Sequence, residues 1–479
     1  MAKTYDNIKL PYPIEGVICN TQLNDTIAPE QSVQTGVNVN FDRIGSVMTR
    51  LGNETFATAL GGSILSLGKY AQNASTNRQL LAQVGNTISA WNGATWSNVR
   101  TLTSSTNKAR YSQFLNYTYT VNGSVGGDPI QTYNGATYSA TNVGSLPAGD
   151  YVQAGFEGRV WVAKANEDRL YYSDIVTTGG LITGGLEYIE KLSPRDGQSF
   201  TALYRVPRAL LVFKQNNIYR VYGAASLDPY PAYNVGTFSQ ESIVEAKDGL
   251  YFHHSSGFYK FSYDGQPLEI SRRIKPFVNA IPRSYYENVT GAYDGKDAIT
   301  WSIGSVTVDG VTYANCQVRY TISTQVWTTS DLAVGMTPNA MITYDSGNVI
   351  AQIIGTTQGG VFKQETGFTD NGTDIHFEMV TRWMSLVDLW GKCKQLSGLM
   401  CNSENGAGIN IEYQVDNDSA NEWYNVGSLK STYTTIFANF QSKDFSRIRL
   451  RLSGSTNGAQ VVFNGIEILT VIDKGFNQN

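Results

Sequence analysis

Three segments of this chain follow one plan: an apolar strand, a short polar turn, and a second strand carrying aromatic side chains. Residues 160–163, 166–168 and 170–173 make the first, 210–213, 216–217 and 218–221 the second, and 250–253, 256–257 and 258–261 the third. The period-two alternation is that of half-buried antiparallel strands, and the turns are hairpin turns. Taking Val160, Leu210, Leu250, Ile299 and Val349 as equivalent positions gives spacings of 50, 40, 49 and 50 residues. Upstream, the phrase from Trp91 to Trp96 recurs 42 residues later from Tyr133 to Tyr138. Such periods belong to propeller blades. A four-stranded sheet of that size cannot hide both faces alone, whereas sheets stacked radially cover one another. The expected fold class is therefore all-β, with a β-propeller of six or seven blades over residues 59–370. A string of separate sandwiches is the rival arrangement.

The flanks differ in texture. Residues 1–58, with Pro11, Pro13 and Pro29, show little periodicity and read as an extended N-terminal arm of the kind that packs on a neighbour. After the polar link at residues 369–373, longer alternating strands follow at 375–379, 409–415, 447–452 and 461–468. In the third of these, Arg447, Arg449 and Arg451 fall on one face and Ile448, Leu450 and Leu452 on the other. Residues 374–472 suit one β-sandwich, with 473–479 as a tail. Helix is confined to scraps at 272–281, which contains Pro276, and 284–288.

Composition narrows the function classes. Charged residues make up 16% of the 479 residues, below the usual ~25%, and Gly and Tyr number 47 and 29. A net charge of −4 and a pI near 5.6 argue against whole-surface attraction to nucleic acid or anionic lipid. Four scattered cysteines, Cys19, Cys316, Cys393 and Cys401, form neither a disulfide scaffold nor a close-spaced zinc site and suggest a reducing birthplace. Asn-x-Ser/Thr triplets such as those at Asn53, Asn73, Asn116 and Asn288 are accidents of an Asn/Thr-rich chain. The N-terminus lacks a secretory pattern, and no stretch reaches the ~18 apolar residues of a membrane helix. The expectation is a soluble protein made in a cytoplasm.

Candidate chemistry is sparse. His253 and His254, consecutive on a strand, point to opposite faces and cannot share a metal; His376 stands alone. No Gly-x-Ser-x-Gly elbow occurs, and the Gly-rich run at 176–186 lacks a phosphate-loop ending. Carboxylates suited to glycoside cleavage are available in turns at Asp168, Glu187, Glu190, Asp248, Asp264 and Asp294, but spacing does not select a pair. The boxed Asp motifs of sialidase propellers appear only as broken echoes. Trp161, Tyr219 and Trp301 read as filling between blades, while loop aromatics such as Trp91 could stack on sugars. The expectation is no enzyme, with no catalytic, cofactor-binding or metal-binding residue and no cofactor.

The run at 41–52 (FDRIGSVMTRLG), followed by 211–221 (LVFKQNNIYRV), then 241–244, 249–252, 257–260 and 270–274, and a final β domain ending in Arg-rich strands, resembles the packaged-DNA stabilisation or tail-nozzle (head-closure) proteins of short-tailed bacteriophages. The resemblance covers about residues 35–472. It implies a structural virion protein in the tail, made in the host cytoplasm. The implied assembly is a homohexameric axial ring that retains packaged DNA and forms the conduit for its ejection. Its implied partners are portal and adaptor proteins above and tail spike, fibre or needle proteins. Packaged DNA passes non-specifically and no membrane is entered; the channel-lining residues stay unassigned. Six copies would carry −24 formal charges, and an acidic wall would let DNA slide without gripping phosphates. The alternative is a receptor- or carbohydrate-binding tail propeller.

Overall fold

The computed structural model describes residues 3–10, 15–19, 32–43, 45–72, 77–139, 146–177, 187–189, 197–223, 226–227, 232–263, 265–386, 392–418, 422–431 and 433–476. Within them lie seven four-stranded antiparallel units. Blade 1 is Ile64–Ala71, Arg78–Val84, Thr87–Trp91 and Trp96–Thr101; blade 2 is Arg110–Phe114, Tyr117–Val121, Gln131–Tyr133 and Tyr138–Ser139. Blade 3 is Tyr151–Phe156, Arg159–Ala163, Leu170–Tyr172 and Glu187–Ile189; blade 4 is Phe200–Val206, Ala209–Lys214, Ile218–Gly223 and Ser226–Leu227. Blade 5 is Val244–Ala246, Gly249–His254, Gly257–Phe261 and Leu268–Glu269; blade 6 is Thr290–Tyr293, Ala298–Val308, Val311–Thr321 and Val326–Asp331. Blade 7 takes Pro338–Asp345, Ile350–Thr356 and Val361–Gln364 from late in the chain and its outer strand, Asn53–Ala57, from early in it. The first strands touch in ring order, and the first strand of blade 7 returns to that of blade 1. The fold is a closed propeller.

The sequence equivalences hold in space. Val160, Leu210, Leu250 and Ile299 all lie on second strands, and Val349 immediately precedes one. The two related aromatic phrases both span the turn between third and fourth strands. In each, Asn92 or Asn134 accepts two backbone N–H groups at 2.9 Å, which makes the turn. The scraps at 272–281 and 284–288 are a short helix, Lys275–Ala280, between single-turn 3₁₀ pieces.

Why the blades stack is visible in the strand Ala209–Lys214, which is buried at every position. Its alternate residues enter two different cores: Leu210 and Val212 pack with Trp161 and Leu170 of blade 3, while Leu211 and Phe213 pack with Leu250 and Phe252 of blade 5 on the other side. Trp161, Tyr219 and Trp301 are fully buried, as filling between blades requires.

The described residues of 1–58 are built into the sheets, which corrects the arm reading for them. Lys3–Lys9, Val33–Val37, Val39–Asn40 and Val47–Thr49 are strands of the C-terminal part, and Asn53–Ala57 closes blade 7. Each is too short to show a period, and all but Val39–Asn40, which pairs with Val47–Thr49, find a partner strand hundreds of residues away. One C-terminal sheet runs Val39–Asn40, Val47–Thr49, Val462–Phe476, Lys392–Glu404, Thr434–Gln441, with Lys3–Lys9 also on Val462–Phe476. The strand continues past 472 to Phe476, opposite Lys392, so residues 473–476 belong to the sheet instead of a tail. The other sheet, Val33–Val37, His376–Thr381, Ile448–Ser455, Asn410–Val415, Tyr424–Ser428, joins blade 6 through Val37 beside Thr329, giving nine strands without a break. Leu396, Leu399 and Ile468 of the first and Ile411, Leu450 and Leu452 of the second enter one core that extends to Trp301 and Trp327 of blade 6.

At the junction, Arg50 donates through both terminal nitrogens to Asp370, Nη1 to Oδ1 at 2.9 Å and Nη2 to Oδ2 at 2.6 Å. Their side chains are only 6% and 2% exposed. Arg50 Nε also donates to Asn38 Oδ1 at 2.7 Å, and Asp370 accepts from Asn53 Nδ2 at 2.7 Å and from the Ala333 N–H at 3.0 Å. Burial alone would raise the Asp370 pKa, but these donors outweigh it and hold the carboxyl below its usual range. Removing one member strands the other as a buried charge. Arg50→Ala should therefore lose about 3–5 kcal/mol in denaturant unfolding. Trp161→Ala should cost a similar ~3–5 kcal/mol by cavity formation.

Candidate functional site

The first strands of the blades surround a cavity of about 340 Å³ to which all seven contribute. Blade 1 supplies Ser66 and Lys69, blade 2 Arg110, Tyr111 and Gln113, and blade 4 Tyr204. Blade 5 and the turn before it supply Glu241 and Glu245. Close packing at the wall needs Gly68, where a Cβ would stand 2.4 Å from the Tyr111 ring. The first strand of a blade is its shortest apolar signal, because one face meets water; the sequence repeats are carried by second and third strands, and these residues escaped notice for that reason.

One ion pair crosses the cavity. Arg110 Nε lies 2.9 Å from Glu241 Oε1, and blades 2 and 5 are as far apart in a ring of seven as two blades can be. Arg110 also donates to the Asp150 carbonyl at 3.1 Å and stacks 4.6 Å over the Tyr151 ring of blade 3. Ser239 Oγ donates to the second carboxylate oxygen of Glu241 at 3.1 Å. Burial opposes ionisation of Glu241, yet Arg110 and Lys108 outweigh it and pull the pKa from 4.5 to about 2. Further along the wall, Glu245 accepts the Tyr204 and Tyr263 hydroxyls at 3.1 and 2.8 Å. Lys69 faces channel water but is ringed by protein, and desolvation lowers its ammonium pKa against the pull of Asp345 and Glu245. The arrangement is a polar cavity barred by the Arg110–Glu241 pair. A DNA duplex, whose major groove alone is about 12 Å wide, cannot thread it.

The residues singled out in the sequence do not converge. His253 is fully buried against Phe258 and Tyr286, and burial drops its pKa to about 3. His254 turns to the other side and meets Ser256 Oγ at 2.7 Å. Asp168 pairs with the buried Lys214 at 3.0 Å, Asp248 with Lys260 at 2.5 Å, and Asp294 accepts three backbone N–H groups of its own turn. The Glu187 side chain, Glu190, Asp264 and most of the 176–186 run lie outside the described residues. Trp91 is 7% exposed and packs on Trp96 at 5.3 Å, so it is a core residue and not the loop aromatic expected. All four cysteines are buried free thiols. Among the described residues no cluster of three metal-ligating side chains occurs, and no helix is long and apolar enough to cross a membrane.

The arginine face of Ile448–Ser455 and its preceding residue is occupied. Arg447 stands 3.2 Å from Asp416, Arg449 donates to Gln34 at 2.6 Å, and Arg451 donates to Glu412 at 2.7 Å. Trp383 lies under Arg449 and Trp423 under Arg451, at 4.6 and 4.5 Å. These two tryptophans come from separate loops, and only folding reveals their stacking.

The channel pair makes a pH prediction. Glu241 has a lower pKa folded than unfolded, so its contribution is complete above about pH 4.5 and is lost as pH falls toward 2. The full contribution is roughly 3 kcal/mol at 1.36 kcal/mol per pKa unit. Glu241→Gln should remove this part of the acid dependence, seen in urea unfolding at pH 6 against the lowest pH at which the protein stays folded.

No family model matches the chain, and no curated protein matches it in sequence. Among solved structures, a streptogramin B lyase is similar at 15% identity and TM-score 0.45, covering 66% of this chain and 97% of its own. A selenomethionine-substituted virginiamycin B lyase from Staphylococcus aureus is similar at 13% identity and TM-score 0.40, over 66% and 98%. YCF48 bound to D1 peptide is similar at 14% identity and TM-score 0.41, over 69% and 97%. These are propeller proteins, and at such identity no substrate or partner carries over from them.

Proposed function

We propose that this chain is a structural subunit of a short-tailed phage tail nozzle, a head-closure component without catalysis. Copies of it, six in the reading preferred here, would form an axial ring that retains packaged DNA and guides its ejection. Portal and adaptor proteins would sit above it and spike, fibre or needle proteins beside or below. The observation that carries this reading is the unbroken nine-stranded sheet from blade 6 into the C-terminal part, locked by the buried Arg50–Asp370 pair. Propeller and C-terminal sheets thereby behave as one stiff body, which suits a wall that holds against pressure. Arg50 itself falls in the 41–52 phrase on which the resemblance rests.

The barred propeller channel sets a condition on the proposal: the DNA path must run between subunits, along a wall made by their outer surfaces. Electron microscopy of the parent particle decides the matter. A six-fold density on the tail axis, with seven-bladed units around a lumen wide enough for a duplex, is the expected result. Density at fibre tips, or a native mass of a single chain in the assembled particle, rejects the nozzle reading and favours receptor or carbohydrate binding.

A further inference from the structure

A second cavity, of about 250 Å³, lies where the N-terminal residues, the long hairpin of blade 6 and the C-terminal sheet meet. Such junctions are common places for ligand sites. Val17, Phe277, Val308 and Val380 give it apolar walls. Two carboxylates open into it, Glu378, half-buried, and Asp309, exposed at the hairpin tip. Neither side chain has a hydrogen bond or ion pair among the described residues.

A third group is independent of those carboxylates. Tyr313 lines the same cavity and is 4% exposed. Its ring packs on Phe277 at 5.2 Å, and its hydroxyl has no hydrogen-bond partner among the described residues. Burial, then the neighbouring Cys316, Glu378, Cys19 and Asp309, push its pKa up, so the phenol stays protonated beside the carboxylates. The hydroxyl is free to meet a group that enters the cavity. The guanidinium groups on the opposite wall are engaged: Arg451 holds Glu412, and Arg449 donates to Gln34 and Gln414. The acceptors without a partner among the described residues of the cavity are the Glu378 and Asp309 carboxylates and the Tyr313 hydroxyl oxygen.

We propose that this junction cavity binds an alkylammonium group, its charge held by Glu378 and Asp309, its nitrogen donating to the Tyr313 hydroxyl oxygen, and its methylenes lying against Val17, Val308, Val380 and Phe277. The space equals about eight water volumes, enough for a four- or five-carbon amine. The group can arrive as a lysine side chain or as a free diamine. This inference stands apart from the assembly proposed above.

Calorimetric titration of the full chain with Nα-acetyl-lysine methylamide, with 1,4-diaminobutane and with Nα-acetyl-norleucine methylamide tests it. One-to-one binding of at least one amine at millimolar concentration is expected, with none for the uncharged norleucine analogue. Tighter binding of the blocked lysine identifies a protein side chain as the source, and tighter binding of the diamine identifies a free amine. Glu378→Gln and Asp309→Asn should each weaken binding about tenfold or more while the melting temperature is kept, and Tyr313→Phe should weaken it less. Silence with both amines, equal binding of norleucine, or unchanged affinity in both carboxylate variants overturns the proposal.

Discussion

The bidentate pair between Arg50 and Asp370 ties together three distant parts of the chain. Arg50 precedes the strand that closes blade 7, Asp370 begins the link to the C-terminal sheets, and Ala333, which also donates to Asp370, lies between blades 6 and 7. A propeller needs a device to stop its ring from opening. Here the outer strand of the last blade, Asn53–Ala57, is borrowed from the beginning of the chain. The pair pins the entry to that strand, with Asn38 and Asn53 taking up the remaining donors and acceptors. Two charges so deeply buried cost much to desolvate, and the several hydrogen bonds around them are what makes the arrangement tenable. Ring closure and attachment of the C-terminal part therefore meet at this junction.

From that junction outward the molecule is organised by two-faced sheets. The blades share cores pairwise, and the blade 6 core merges with that of the C-terminal sheets around Trp301, Trp327 and Phe377. The axial cavity sits where the first strands face one another. Its lining is polar, and the Arg110–Glu241 ion pair spans it between blades 2 and 5.

Much of the ring was legible in the chain itself. The second strands repeat at near-constant spacing because each blade must present apolar residues on both faces, and the hairpin turns between strands use Asn and Gly for their backbone geometry. The aromatic filling at Trp161, Tyr219 and Trp301 followed from that pattern. Trp91 was misread because its Asn-Gly neighbourhood signals a turn, while the residue itself is the last of a strand and faces inward. The N-terminal residues were misread because strands of two to seven residues carry no measurable period.

What the order of amino acids determined is local: strand, turn, which face is apolar, and how often the unit recurs. That information is written in spacings of two and of forty to fifty residues. Only the tertiary structure decided which distant pieces pair: Asn53 with Gln364, Val37 with Thr329 and Arg110 with Glu241. Such contacts depend on closing loops of a hundred residues or more, and no short-range pattern encodes them. They arise because a finite set of two-faced sheets has one closed way to cover every face, and closure then brings these side chains together.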